Sequence, residues 1–189
     1  MSPEHIPYAG RGGEKLASAL DAFELSVKGA VCADFGSATG GFCDCLLRRG
    51  AVRVHSVDTC YGQLDWKLRK DPRVEVHERT NALHAKPPEQ VELVTIDVGW
   101  TPQRLIIPAA ESWLRGGGYV VSLLKPIYEL RKLRRGRPPR KLEDDHARAI
   151  CSEVLQTLID AGHDTRAVTT SPVRGKGGNL EFFLLLLRA

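Results

Sequence analysis

The reading of the fold turns on Val31-Cys32-Ala33-Asp34-Phe35-Gly36-Ser37-Ala38-Thr39-Gly40-Gly41-Phe42. Val31 to Phe35 is a short, mostly apolar run of the kind that forms a buried strand. Gly36, Gly40 and Gly41 follow it, and a helix-period segment then runs from Phe42 to Arg49. Glycines at this junction let the backbone turn tightly and approach a ligand, while the first amides of the helix face a negative group. A strand, glycine-rich turn and helix in this order predict a nucleotide-type crevice in an open α/β sheet.

Outward from that unit, strands and helices alternate. Val52 to Val57, Val74 to His77, Leu93 to Ile96 and Tyr119 to Leu124 are expected strands. Leu105, Ile106, Ala109, Ala110, Trp113 and Leu114 recur at helical spacing, so a helix is expected there, stopped by Gly116-Gly117-Gly118. A second helix carries Ala147, Ile150, Cys151, Val154, Leu155, Leu158 and Ile159, opened by Glu143-Asp144-Asp145 at its positive dipole end and closed by Gly162. His163 to Thr170 and Leu180 to Leu187 then form two strands joined by the loop around Arg174 to Asn179. The expectation is an α/β fold of Rossmann-like type, with a seven-stranded mixed sheet and helices on both faces.

Composition bounds the alternatives. A chain of 189 residues is one domain's worth of core, and 42% hydrophobic residues with 18 glycines is an ordinary globular composition. The apolar run Phe182 to Leu187 is far short of the roughly 20 residues a spanning helix needs, which argues against a membrane partner and pore formation. The first residues lack an apolar signal core, so the expected address is cytoplasmic. The five cysteines, Cys32, Cys43, Cys45, Cys60 and Cys151, are odd in number and lack CxxC spacing, which favours reduced structural thiols. Histidines 5, 55, 77, 84, 146 and 163 show no metal-ligand spacing, so no metal is expected from the sequence.

The charge of +4 is unevenly distributed. Residues 131–141 (RKLRRGRPPRK) hold seven of the 27 basic residues and no acid, leaving 20 basic against 23 acidic elsewhere. Such a concentrated stretch is either a solvated loop or a contact for a phosphate-rich partner. Pro138-Pro139 opposes a continuous helix there, so the stretch is expected to be a loop.

No GxGxxG occurs in the chain, and in the glycine-rich turn an acid, Asp34, precedes the first glycine. Asp58 follows Gly36 by 22 residues at the end of a strand, where it can accept ribose hydroxyls. A loop with no pyrophosphate cradle suits S-adenosylmethionine, whose carboxylate needs amides. This reading takes Asp34, Gly36, Ser37, Thr39, Gly40, Gly41, Phe42 and Asp58 as cofactor-binding candidates. Asp97 and Lys125 end the fourth and fifth strands and should project at the same edge, as a plain ion pair or as groups with a task.

The stretches YAGRGGEKL (Tyr8 to Leu16), DFGSATGGF (Asp34 to Phe42), VDTCYGQLDWKLRKDPRV (Val57 to Val74), ERTNA (Glu78 to Ala82), IDVGW (Ile96 to Trp100), LKPIYE (Leu124 to Glu129) and GKGGNLEFF (Gly175 to Phe183) together resemble the catalytic domain of TlyA-type, haemolysin-A-like proteins. These are ribosomal RNA 2′-O-methyltransferases of the FtsJ (RrmJ) class, and the resemblance runs in order from about Tyr8 to the C-terminus. It implies a class I methyltransferase fold, S-adenosylmethionine as donor and RNA as partner. It also implies a Lys-Asp-Lys-Glu tetrad, which falls here on Lys15, Asp97, Lys125 and Glu181, and cofactor positions at Gly36, Gly40, Asp58, Asn81 and Asp97.

Two departures from the family pattern stand out. Proteins of this type begin with a small RNA-binding domain of S4 type, whereas this sequence starts almost at RGGEKL. The expectation is a single methyltransferase domain over 1–189, with residues 1–28 as an N-terminal segment and a helix carrying Lys15. RNA affinity is then expected from Arg131, Lys132, Arg134, Arg135, Arg137, Arg140 and Lys141, extended by Arg11, Arg174 and Lys176, or from a separate protein. The family's DVSF and KPQFE are here DVGW and KPIYE, replacements beside the tetrad that could alter which nucleotide fits.

A ribose hydroxyl is a weak nucleophile. Aligning it with a methyl–sulfonium bond can supply about 7–11 kcal/mol, and a positioned base adds about 10²–10⁴-fold. Neighbouring carboxylates favour the charged ammonium, so Lys125 is expected to orient the hydroxyl and stabilise developing alkoxide, and to take the proton only if burial outweighs the two acids. The alternatives are a small-molecule methyltransferase, or an RNA- or cofactor-binding module that does not catalyse.

Overall fold

Strand β1 (Val31–Phe35) runs through the middle of the sheet, and four of its five residues are fully buried. In a computed structural model that describes residues 7–99, 101–133 and 140–189, the chain follows the α/β alternation expected from its apolar pattern. The elements are α1 (Gly12–Ala22), β1, α2 (Gly41–Arg48), β2 (Arg53–Val57), α3 (Trp66–Arg69), β3 (Val74–His77), β4 (Val91–Ile96), α4 (Gln103–Glu111), β5 (Leu114–Leu124), α5 (Pro126–Leu133), α6 (Asp144–Asp160), β6 (Asp164–Thr170) and β7 (Phe182–Leu187). The seven strands lie in the order β3-β2-β1-β4-β5-β7-β6. β1 to β5 are parallel along their shared ladders, whereas β7 runs antiparallel to both β5 and β6.

Apolar side chains cover both faces of this sheet. Leu16 and Leu20 of α1 and Leu46 of α2 pack with Val54 and Phe183 on one face. Ile106 and Ile107 of α4, Ile150 and Leu158 of α6 and Trp113 pack with Phe35, Ile96 and Val120 on the other. Trp113 sits edge-on to Phe35, with ring centroids 5.1 Å apart. Among the described residues no helix is long and apolar enough to cross a membrane.

Three sequence expectations change. Gly116 to Gly118 do not simply terminate a helix, because β5 begins at Leu114 and runs through them. The glycines make this possible: Gly117 takes φ +77° and donates its amide to the carbonyl of Arg188 at 2.9 Å, while β5 shifts register against β4 between Val91 and Leu93. The basic stretch does not begin as a loop, because α5 extends to Leu133 and places the backbone of Arg131 and Lys132 in a helix. Arg134, Arg135 and Arg137 lie outside the described residues. Lastly, the strand expected from Leu180 starts at Phe182, leaving Glu181 just beyond the ladder.

Reversal at β1 and β4 creates the crevice. From β1 the chain moves outward to β2 and β3, then returns to β4 on the opposite side. In open α/β sheets, ligands bind where strand order reverses, outside the carboxyl ends of the strands. Asp97 follows β4 at that point, and its amide donates to the carbonyl of Phe35 at 2.9 Å.

Candidate active site

Two lysine–carboxylate pairs stand at the carboxyl edge. Lys15, on the buried face of α1, places its Nζ 2.6 Å from Glu181 Oε2, with the two side chains 11% and 6% exposed. Lys125 forms an ion pair with Asp97 Oδ1. The register of β5 with β7 pairs Leu124 with Phe182, so the next positions outward, Lys125 and Glu181, face one another across the end of the ladder. Gly12, three residues before Lys15 in α1, approaches the second pair: a β-carbon built there would lie 4.0 Å from Asp97 Oδ2. All four residues of the expected tetrad thus come together from α1 and from the positions just beyond the ends of β4, β5 and β7.

The glycine-rich loop is drawn against the sheet by its own amides. Gly36 donates to the carbonyl of Val57 at 2.8 Å and Gly40 to that of Ser37 at 2.7 Å. Ala38 donates to Asp58 Oδ2 at 2.8 Å, and the amide of Cys60 donates to Asp58 Oδ1 at 2.7 Å. Gly36 is required where it stands: its φ is +84°, and a β-carbon would come 2.7 Å from the carbonyl oxygen of Asp97. Gly41 is equally tight, because a β-carbon there would meet the amide nitrogen of Gly13 at 2.9 Å. That contact brings the first turn of α1 onto the start of α2.

Asp34 is fully buried beneath this loop rather than on its surface. Its Oδ1 accepts from the Thr95 hydroxyl at 3.1 Å. Desolvation pushes its carboxyl up to about 7, and the nearby charge of Asp97 adds to the rise, while the bond from Thr95 and the amide of Cys43 act in the other direction. The Asp34 side chain thus ties β1 to β4 beneath the loop. Ser37 is also buried and accepts from the Ser56 hydroxyl at 2.8 Å. Thr39 is exposed at the rim, beside Gly10, where a β-carbon would meet its Oγ1 at 2.5 Å. Phe42 is buried and packs on Phe183, with centroids 6.0 Å apart. Asn81 is exposed, and its Oδ1 accepts from the Leu83 amide at 3.0 Å, which holds the turn after β3.

Some groups quoted in the family motifs, but given no role from sequence, matter to the architecture. Glu129 Oε1 accepts from the amide of Gln103 at 2.9 Å and so ties α5 to the start of α4; burial pushes its carboxyl above the usual range. Asn179 Oδ1 accepts from the Leu142 amide at 2.9 Å, and its Nδ2 donates to the carbonyls of Arg140 at 3.2 Å and Lys176 at 2.9 Å. That staple brings the described end of the basic stretch, Arg140 and Lys141, beside the loop that precedes Glu181. Arg174 is less available for a partner, because it forms a two-pronged pair with Asp144 at 2.7–2.8 Å. The two departures from the family pattern also meet: a β-carbon on Gly99 would lie 3.8 Å from Tyr128 Cε2. Trp100 lies outside the described residues.

The FtsJ-like methyltransferase family model matches residues 8–188. The chain belongs to the FtsJ-like methyltransferase family. This FtsJ-like methyltransferase is 39% identical over 183 residues to the Mycobacterium tuberculosis 16S/23S rRNA (cytidine-2′-O)-methyltransferase TlyA, covering 95% of this chain and 68% of that protein. It is 38% identical over 185 residues to Bacillus subtilis YqxC, covering 96% of this chain and 66% of YqxC, so it spans about two thirds of the length of these relatives. A solved, hemolysin-named structure from Streptococcus thermophilus superposes with a TM-score of 0.88 at 35% identity, over 100% of this chain and 70% of that one. Solved S-adenosylmethionine-dependent methyltransferases share the fold at much lower identity, with a TM-score of 0.68 at 14% for one from Listeria monocytogenes, over 95% of this chain and 100% of that one.

S-adenosylmethionine is the cofactor of this fold class, and the crevice of the FtsJ-like chain fits it. Asp58 stands after β2 with its carboxylate at the glycine loop, helix geometry leaves the amides of Gly41 and Phe42 without intrahelical partners, and Asp97 follows β4 beside Phe35.

Proposed function

We propose that the chain transfers a methyl group from S-adenosylmethionine to a ribose 2′-hydroxyl of ribosomal RNA. The observation that carries the reading is the meeting of Lys15–Glu181 and Lys125–Asp97 at one strand edge, beside a loop suited to the donor. When bound, the cofactor supplies an electrophilic methyl group on a sulfonium. Every other task falls to side chains of this chain.

Asp97 holds the Lys125 ammonium in place and lies between the donor loop and the acceptor position. The ammonium orients the 2′-hydroxyl and stabilises negative charge as it develops on oxygen, which is where preorganised charge contributes most. Glu181 fixes Lys15, so that a second ammonium is held, buried and immobilised, at the same strand edge. The 2′-hydroxyl proton passes to solvent water as its oxygen takes up the methyl group, no side chain bonds covalently to the substrate, and the rate gain comes from alignment and electrostatics. Arg140, Lys141 and Lys176, gathered by Asn179, are suited to the phosphates flanking the target nucleotide.

Incubation with methyl-labelled S-adenosylmethionine and total bacterial RNA tests this directly. Nuclease digestion should recover label in a 2′-O-methyl nucleotide of ribosomal RNA. Label appearing only in base-methylated nucleotides, or only in small-molecule extracts, would overturn the ribose assignment.

A further inference from the structure

Away from the crevice, β2 and β3 carry three ligand-type side chains into one small space. Their register pairs His55 with Glu75 and Val57 with His77, so residues 55, 75 and 77 share a face. His55 Nδ1 lies 3.2 Å from His77 Nε2 and 3.3 Å from Glu75 Oε2, and one ligand atom from each of the three falls within 4.8 Å of the others.

A second contact governs what these atoms can do. His55, fully buried, places its Nε2 3.2 Å from Glu89 Oε1. A proton on that nitrogen satisfies the carboxylate, and the tautomer then leaves a lone pair on Nδ1 facing inward. Arg53 lies 2.6 Å from Glu89 Oε1 and 3.5 Å from Glu75 Oε1, which leaves Glu75 Oε2 for the cluster. A lone pair of His55 thus faces a carboxylate oxygen and a second imidazole at close range, an arrangement able to hold a shared cation where a proton on His77 would otherwise bridge the two rings.

We propose that His55, Glu75 and His77 bind one divalent transition-metal ion, of which zinc is the representative, with Glu89 orienting His55 from behind. Tetrahedral zinc with bonds of about 2.0–2.1 Å holds its ligand atoms roughly 3.3 Å apart, the separation His55 Nδ1 already has from its two neighbours. Two histidines and one carboxylate are a zinc-type donor set with a fourth position for water. A carboxylate behind a ligating histidine is the recurrent outer support of such sites. The ion would fasten the short edge strand β3 to β2. It would also act near the donor pocket, because the Asp58 amide donates to the His77 carbonyl at 3.1 Å.

The test is equilibrium titration of the untagged full chain with Zn²⁺ after chelator treatment, repeated with Co²⁺, whose visible bands report tetrahedral coordination. Expected are one ion per chain, tetrahedral Co²⁺ bands that include nitrogen ligation, and a melting temperature raised by Zn²⁺. Glu75→Gln and His77→Gln change half-buried side chains and should keep the native circular dichroism while weakening binding at least about 10-fold. Cys60, an exposed thiol, is the competing ligand, so Cys60→Ser should bind as the parent does. No stoichiometric binding, binding untouched in both Gln variants, or binding lost only in Cys60→Ser would each overturn the site.

Discussion

Lys15 Nζ and Glu181 Oε2, from residues 166 positions apart in the chain, lie 2.6 Å from each other in a buried ion pair. Removing the charge from one partner leaves the other buried and unpaired, which costs about 3–5 kcal/mol. Glu181→Gln should therefore lower both stability and methyl transfer. Combining it with Lys15→Met should restore much of the stability, measured by denaturant unfolding, and none of the activity. A double variant that regains activity would remove the pair from the chemistry.

Lys125 separates differently. With Asp97 left in place, Lys125→Ala should reduce transfer by about 10³-fold or more, the scale of losing a preorganised charge. Affinity for S-adenosylmethionine, followed by calorimetry, should stay within about twofold, because the lysine acts on the acceptor. Simultaneous loss of both would reassign Lys125 to the donor pocket.

Asp34 makes a pH signature. The unfolded chain ionises this carboxyl near 3.8 and the folded chain near 7. Between those values the native state binds the extra proton, so stability falls as pH rises, with a slope of about 1.4 kcal/mol per pH unit from this group. The stabilising contribution is complete below pH 4 and gone above 7. Asp34→Asn keeps the acceptor for Thr95 and should remove that component, measured as the difference in unfolding free energy between variant and parent from pH 4 to 7 without cofactor. A constant difference across the range would rule out a raised carboxyl.

Gly36→Ala adds a β-carbon 2.7 Å from the Asp97 carbonyl at φ +84°. Strain of this kind costs about 1–3 kcal/mol. The variant should melt earlier and bind S-adenosylmethionine more weakly, since the loop must lift from β4. Alanine is ordinarily harmless in exposed turns, and an unchanged melting curve would place the loop further from Asp97 than described.

Neutralising the seven basic residues between Arg131 and Lys141 should weaken RNA binding and flatten its dependence on salt. Each lost phosphate contact removes roughly 0.7–0.9 from the slope of log affinity against log salt. Filter binding at several salt concentrations reads this out. An unaltered slope and methylation rate would show that RNA affinity resides elsewhere.

Much of the fold was legible in local patterns. β1, the glycine turn and α2 were read from alternation between a buried strand and a helix start, and β3 was read to the residue. β5 was not, because Gly116 to Gly118 are read locally as a helix stop. Their role inside a strand depends on the carbonyl of Arg188, which local sequence cannot supply. α5 likewise extends into the basic stretch, since nothing before Gly136 breaks a helix.

By itself the sequence determined the α/β class and put Asp97 and Lys125 at the strand edge, because those signals are local in spacing and chemistry, whereas Lys15 and Glu181 were implied by the resemblance to the FtsJ-type family. Only the tertiary structure decided that Lys15 pairs with Glu181, that Asp34 is buried beneath the glycine loop, and that Asn179 staples the basic segment beside Glu181. His55, Glu75 and His77 make the same point most sharply: they show no metal-ligand spacing along the chain, yet parallel strand pairing turns a separation of 22 residues between the histidines into 3.2 Å.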